Sequence, residues 1–494
     1  MKIIQITAEL FPYAKTGGLA DMVGSLAAAL ADNGHDVSVF IPGYKDVFRH
    51  NDTKAAKHCL HLNYSDADIQ SFSPRKNLTV YLVCNNLFFD REGIYGIDGQ
   101  DFIDNHKRYL FFSKAVIEAM RLLKLKSDIV HCHDWQTALI PMLLREAELF
   151  YGLTLAKKSI FTIHNVAFQG KFQFSYFSIA ELPEKVFDKD ELEFNGQVNM
   201  LKNAIIFADE VTTVSPSYAM EIQTKAFGCG LEGVLALQTC RLTGLLNGID
   251  KSVWNPSTDT YLPAHYSSTD IKGKQTCRAE LLKKLFSDTE FTGAVFGMIC
   301  RLTDQKGIDL VLANADFFRG NCRLIILGSG EKRYQNALRY LSGAIPDNIC
   351  FINSFDEAMS HLIEAGSDFF LMPSLYEPCG LNQMYSLNYG TIPLVSQVGG
   401  LRDTVIDIDA SPLKGTGITF PPTALDLHSG LIRAVKLFND KTRFTTIQQR
   451  GMNEDFSWTN AVLAYEQLYL NTTQESSFNK NTDSAPYSLC QSVA

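Results

Sequence analysis

Two successive series of short, nearly unbroken apolar runs dominate this chain, and each run ends in a polar or glycine-rich loop. The first series lies at residues 2–7, 37–41, 79–84, 128–132 and 159–163, with helical periodicity between several of them. After a polar stretch near 255–280 the pattern starts again at 294–299, 323–327, 349–352, 369–372 and 392–395. Strands that are apolar on both faces belong in parallel sheets covered on each side by helices. The reading is therefore an α/β protein with two doubly wound, Rossmann-like domains facing a central cleft. At 494 residues the chain exceeds one typical core, which agrees with two domains.

Ligands of open α/β sheets bind at the carboxyl ends of the strands, so the loops there hold the candidate chemistry. The loop after the first run reads AELFPYAKTGGLAD, with Glu9, Lys15, Gly17, Gly18 and Asp21, and a helix is expected to start at about Asp21. It matches neither a Walker phosphate loop nor a dinucleotide fingerprint. Two residues without Cβ let backbone amides approach a ligand, while a helix N-terminus and a lysine add positive potential. A plain glycine turn with a solvated lysine is the alternative.

In the second half, Arg301 and Lys306 follow the run at 294–299, a pair suited to phosphate oxygens. The run at 369–372 leads into SLYEPCGLNQ, in which Glu377 precedes Pro378 and a helix is expected to begin at Gly380. A carboxylate beside an anion-binding helix end suits a ligand with phosphate at one end and hydroxyls at the other. HCHDWQT (131–137) and TIHNVAFQG (162–170) end two further strands. Strand alternation puts Cys132 opposite His131 and His133, and no second Cys/His cluster has matching spacing, so no metal site is expected. The Asp407-Ile408-Asp409 triplet is read as a chance occurrence rather than a metal-dependent sugar-nucleotide motif.

A net charge of −9, without basic blocks, argues against general binding of nucleic acid or anionic membranes. The N-terminal run is broken by polar residues, no apolar stretch is long enough to span a bilayer, and 11 irregularly spaced cysteines suit a reducing compartment. A cytoplasmic location is expected.

The motifs KTGGLAD, FDREGIYG, HCHDWQT, TIHNVAFQG, LLNGID, RLTDQKG, YEPCGLNQ and VGGLRDTV occur in that order, and with them the chain resembles the bacterial glycogen synthases, close to the plant starch synthases. The resemblance runs from residue 2 to about 470. It implies a glycosyltransferase of the B type that transfers glucose, with retention, from ADP-glucose to the 4-OH at the non-reducing end of an α-1,4-glucan such as glycogen. No metal and no cofactor are implied, ADP-glucose being a co-substrate. Transfer from UDP-glucose or another nucleotide sugar, and non-catalytic glucan binding, are the alternatives; the oligomeric state is left open.

By resemblance, Glu377, His164, Asp134, Arg301 and Lys306 form the catalytic set. Lys15, Gly17, Gly18, Asn247, Cys379, Gly380, Leu381 and Asn382 bind the donor, and Phe355 stacks on adenine. Glu9, Asp21, Tyr95 and Asn165 are candidates for lining the sugar or acceptor. Leu375-Tyr376, Asn382 and Ser396-Gln397-Val398 depart from the usual family residues. The expected division is 1–250 for the acceptor-side domain and 251–458 for the donor-side domain. A helix over 459–473 is expected to return to the first domain, with a disordered tail over 474–494.

Overall fold

The computed structural model describes residues 1–45, 47, 56–62, 65–97, 99–176, 192–354 and 356–474. Phe355 and residues 475–494 of the expected tail lie outside them. The chain forms two compact units. The first comprises Met1–Val214, Ala219–Gly248 and the helix that starts at Trp458; the second comprises Ser215–Tyr218 and Ile249–Ser457.

The first unit is built on strands β1 (Lys2–Ile6), β2 (Asp36–Pro42), β3 (Ala56–Leu62), β4 (Ser65–Arg75), β5 (Leu78–Cys84), β6 (Ser127–His133), β7 (Ala156–Ile163), β8 (Glu210–Thr213) and β9 (Leu242–Gly244). They form one sheet in the order β9-β8-β7-β6-β1-β2-β5-β4-β3. Pairing is parallel from β9 to β5, and β4 and β3 extend the sheet antiparallel. Successive residues of β1 point to opposite faces, yet Ile3, Ile4 and Ile6 are all buried, so both faces are covered. The β3–β4 hairpin was not anticipated from the sequence, although Asp66 to Gln70 of β4 alternate polar and apolar as a half-buried strand does.

Helix α1 (Gly18–Asp32) follows β1 and buries Leu19, Met22, Val23, Leu26 and Leu30 at helical spacing. It starts three residues earlier than expected, capped by Gly17 in an extended conformation, so the Gly18 amide lies in the first turn and Asp21 stands inside the helix.

The second unit has strands β10 (Ala294–Ile299), β11 (Cys322–Leu327), β12 (Ile349–Ile352), β13 (Phe369–Met372), β14 (Ile392–Ser396) and β15 (Ile418–Phe420). All pairs in its sheet, ordered β12-β11-β10-β13-β14-β15, are parallel. Alternate side chains feed two cores: Phe296, Leu324, Ile326 and Phe369 pack on one face, and Val295, Ile325, Leu327 and Phe370 on the other. Each fully buried side chain of this size contributes about 1.5–3 kcal/mol, which is why the strands read as continuous apolar runs.

Helix α2 (Asn382–Asn388) follows β13 in this unit, and helix α3 (Trp458–Gln474) closes the described chain. Trp458, Val462, Tyr465, Tyr469 and Thr472 are the buried stripe of α3. Within the first unit, its Tyr469 hydroxyl lies 2.8 Å from His131 Nδ1 on β6, and Glu466 pairs with His35 at 2.9 Å. Among the described residues no helix is long and apolar enough to cross a membrane.

Candidate active site

Each sheet has one place where successive connections leave in opposite directions, and a crevice opens there between the diverging loops. In the second unit that place lies between β10 and β13. The loop after β10 holds Arg301 and Lys306, and the loop after β13 holds Ser374 to Leu381, so the fold brings together residues more than seventy positions apart in sequence.

The central contact is an ion pair, Lys306 Nζ to Glu377 Oε2 at 2.5 Å. Ser374 Oγ donates to the same carboxylate oxygen at 2.9 Å. Glu377 is 6% exposed, so its charge is held away from bulk water and by a cation, as a buried carboxylate requires. Backbone contacts lock the two loops together: Leu375 N donates to Gln305 O at 2.8 Å, and Gln305 Nε2 to Tyr376 O at 3.2 Å. Ser374 and Gln305 were missed by sequence reasoning, although each lies within three residues of a residue it did select. Arg301 is exposed, and its side chain makes no hydrogen bond or ion pair among the described residues. Burial pushes the thiol of Cys300 beside it up to about 12, so it is protonated at neutral pH.

Gly380 does not begin the helix. It has φ = +71°, a left-handed conformation that favours glycine, and α2 begins at Asn382 with Leu381 as its cap. Gln383 Nε2 donates to the carbonyls of Cys379 and Gly380, tying the turn to the first helical residues, and Asn382 Nδ2 donates to Ile299 O at the end of β10. Cys379 is buried in that turn. Asp407 and Asp409 are engaged by Arg433 and Arg443, a structural use that agrees with setting the triplet aside.

In the first unit the corresponding place lies between β6 and β1. Glu9, just past β1, is buried, and its carboxylate accepts four hydrogen bonds. Thr16 N (2.6 Å) and Gly17 N (3.1 Å) donate to one oxygen; Thr16 Oγ1 (2.7 Å) and the Tyr95 hydroxyl (2.7 Å) donate to the other. One carboxylate thus shapes the loop that presents Lys15, Gly17 and Gly18, and Tyr95 serves the same arrangement from 86 residues away. Lys15 is paired with Asp21 at 2.8 Å, partly exposed.

Asp134 directly follows β6 with φ = +56° and ψ = 177°, a conformation that costs a non-glycine residue of order 1–3 kcal/mol. Its backbone stays in the ladder through a bond to Thr162 O, and Thr137 holds its carbonyl through both N and Oγ1. The twist aims the carboxylate at the next loop, where His164 N donates to it at 2.8 Å. Burial pushes Asp134 up to about 7, against the amides of His164 and Asn165. Asn165 Oδ1 accepts from Ala167 N, closing its own turn. His164 is pushed down to about 3 by burial and is therefore neutral at pH 7. Its Nε2 lies 3.2 Å from His133 Nδ1. Asn247, past β9, is 7% exposed, and its Oδ1 has no partner among the described residues.

Native Asp134 keeps its proton up to about pH 7, whereas the unfolded chain releases it near 4, so between those values this group makes stability fall as pH rises. His131 and His164, about 3 when folded against 6.5 when unfolded, act in the opposite sense over much of the same window. Asp134→Asn is therefore expected to steepen the rise of unfolding free energy between pH 4.5 and 6.5, by up to about 1.4 kcal/mol per pH unit. Urea titrations at intervals of half a pH unit measure it; an unchanged slope would show that Asp134 is ionised in the native protein.

Among the described residues no group of three or more His, Cys, Asp or Glu side chains is arranged to hold a metal ion.

Comparison with known proteins adds to this geometry. Residues 2–237 match the family model described as the starch synthase catalytic domain, and residues 284–449 that of the glycosyl transferases group 1. A glycogen synthase of Opitutus terrae is 55% identical over 479 residues, covering 96% of this chain and 100% of that protein. One of Koribacter versatilis is 41% identical over 475 residues, covering 95% and 98%. Among solved structures, the catalytic domain of starch synthase IV from Arabidopsis thaliana, bound to ADP and acarbose, superposes with a TM-score of 0.85 at 33% identity, over 96% of this chain and 99% of that one. A sucrose-phosphate synthase of Thermosynechococcus elongatus shares the fold, with a TM-score of 0.60 at 17% identity.

Proposed function

The chain belongs to the glycogen and starch synthase family of B-type glycosyltransferases, and from that premise we propose that it extends an α-1,4-glucan with glucose taken from ADP-glucose, with retention at the anomeric carbon. The observation that carries the reading is the pair of half-buried Lys306 with buried Glu377 at the sheet's switch point, beside the Arg301 side chain. It offers cations for a diphosphate and a carboxylate for sugar hydroxyls within one crevice.

In the reading we favour, the bond between glucose C1 and the diphosphate oxygen breaks as the acceptor O4 attacks from the same face. The acceptor proton passes to the departing phosphate, and ADP leaves. Arg301 and Lys306 counter the charge that grows on the diphosphate, the part a divalent ion would otherwise play, so no metal or other cofactor is needed. Glu377 holds the glucose hydroxyls, and Asp134, His164 and Asn247 line the sugar. Lys15, with the amides of Gly17 and Gly18, binds the donor, as do Cys379, Gly380, Leu381 and Asn382. A covalent glucosyl-Glu377 intermediate is the second route. Retaining enzymes of that kind place two carboxylates about 5 Å apart, and here Glu377 is flanked by a lysine and a serine. A cytoplasmic setting follows from the free-thiol composition and the expected substrates.

The test is incorporation of radiolabelled glucose into glycogen from ADP-glucose and UDP-glucose in parallel. Incorporation from ADP-glucose at least about tenfold faster is the expected result, since one good hydrogen bond to the base is worth roughly that factor. Faster transfer from UDP-glucose would reassign the donor. Glycogen binding with no donor consumed would point to a glucan-binding protein.

A further inference from the structure

His133 has no part in the reading above, yet it touches one of the residues that do. It is fully buried at the end of β6, and its Nδ1 lies 3.2 Å from Nε2 of His164 on the neighbouring loop. Its other nitrogen, Nε2, is buried without a partner among the described residues. Behind it, the His131 ring is 4.2 Å away, and that ring is satisfied at both nitrogens, by the Tyr469 hydroxyl (2.8 Å) and Thr162 Oγ1 (2.6 Å).

The bond between the two imidazoles can point either way. If His164 Nε2–H were the donor, His133 would accept at Nδ1 and would carry its own proton on Nε2, a buried N–H bonded to nothing. If His133 Nδ1–H is the donor, its Nε2 is a bare lone pair. Buried orphan N–H groups are rarer and costlier than under-satisfied acceptors, so the second arrangement is the more stable. A doubly protonated His133 would place an uncompensated buried charge between the His131 and His164 rings, and burial opposes it.

We infer that His133 is a positioning residue that fixes the tautomer of His164: its Nδ1–H donates to His164 Nε2, leaving His164 with its proton on Nδ1. That nitrogen has no partner among the described residues, and the side chain is partly exposed. His164 therefore offers the sugar a hydrogen-bond donor and not an acceptor. This rests on the placement of His164 in the sugar site under the proposed function. It makes the specificity of that position one for an oxygen lone pair, such as that of a hexose hydroxyl.

The experiment is a long-range 15N–1H spectrum of the whole protein labelled at histidine, with His164 assigned by its loss in His164→Gln, together with kinetics of two variants. Wild type is expected to show His164 protonated on Nδ1. His133→Phe, which removes the donor but keeps a ring, should shift His164 towards the Nε2–H form and lower kcat about tenfold with little change in the KM for ADP-glucose. His133→Asn, whose side-chain amide can place an N–H where Nδ1 stood, should restore both the tautomer and most of the rate. An Nε2–H tautomer in wild type, or equal losses in the Phe and Asn variants, would overturn the inference. Should His133→Phe fail to fold, the wild-type spectrum and the Asn variant still decide. If wild type transfers no glucose at all, the proposed function fails, while the spectrum still reports the tautomer.

Discussion

Glu377→Gln is expected to lower glucosyl transfer from ADP-glucose by about 10²–10³-fold while the protein stays folded. Glutamine keeps the size of the side chain and one acceptor oxygen, so Ser374 and Lys306 still have a partner at 2.9 and 2.5 Å in the native arrangement. What it loses is the negative charge that holds Lys306 in one position. A preorganised charge at a site largely shielded from water is worth this much, because nothing has to reorganise when charge develops on the substrate. Initial rates of label incorporation, with melting temperatures in parallel, make the measurement. A loss below about tenfold would remove Glu377 from the catalytic set. A covalent glucosyl ester trapped in a slow variant and seen by mass spectrometry would instead make it the nucleophile.

Gly307→Ala is expected to be the most damaging single-methyl addition near the site, costing about 4 kcal/mol and most of the activity. Gly307 has φ = +65°, and a Cβ there would meet the carbonyl oxygen of Pro373 at 1.9 Å. The left-handed conformation costs a residue with Cβ about 1–2 kcal/mol, and relieving the overlap adds a further 1–3. Either the Gly307 loop or Pro373 must move, and Lys306 adjoins the one while Ser374 and Glu377 follow the other in sequence. Loss of stability and loss of turnover are thus coupled through one contact. Gly17→Ala is the control, since Gly17 is extended and an added Cβ has nothing within 4 Å. Urea unfolding of both variants checks the difference; equal effects would mean that the Pro373 carbonyl yields at little cost.

These two glycines also show the limit of what could be read from the chain. Both stand in motifs legible in the sequence, and neither motif tells which glycine is sterically required. The need at Gly307 arises from the return of the chain at Pro373, 66 residues later, which depends on β10 and β13 being neighbours. The expected helix start at Gly380 failed for a related reason. Local signals put the helix at the glycine, while tertiary contacts of Gln383 with Thr404 and of Asn382 with Ile299 delay it to Asn382. The short strands β8, β9 and β15 have too few residues to register as periodic, and the antiparallel β3–β4 hairpin carries polar residues on its open side.

The two series of buried parallel strands are legible in the order of residues alone, because a strand covered on both faces must be apolar at every position. The same order shows which loops hold the chemistry, because Arg301, Lys306, Glu377, Lys15 and Asp134 follow directly on those strands. The partners emerge only when the chain is folded: Lys306 with Glu377, Glu9 with Tyr95, His133 with His164. Strand order sets such pairs, and it is chosen by how the helices pack on the two faces of each sheet, an outcome of the whole chain that no local run of residues encodes.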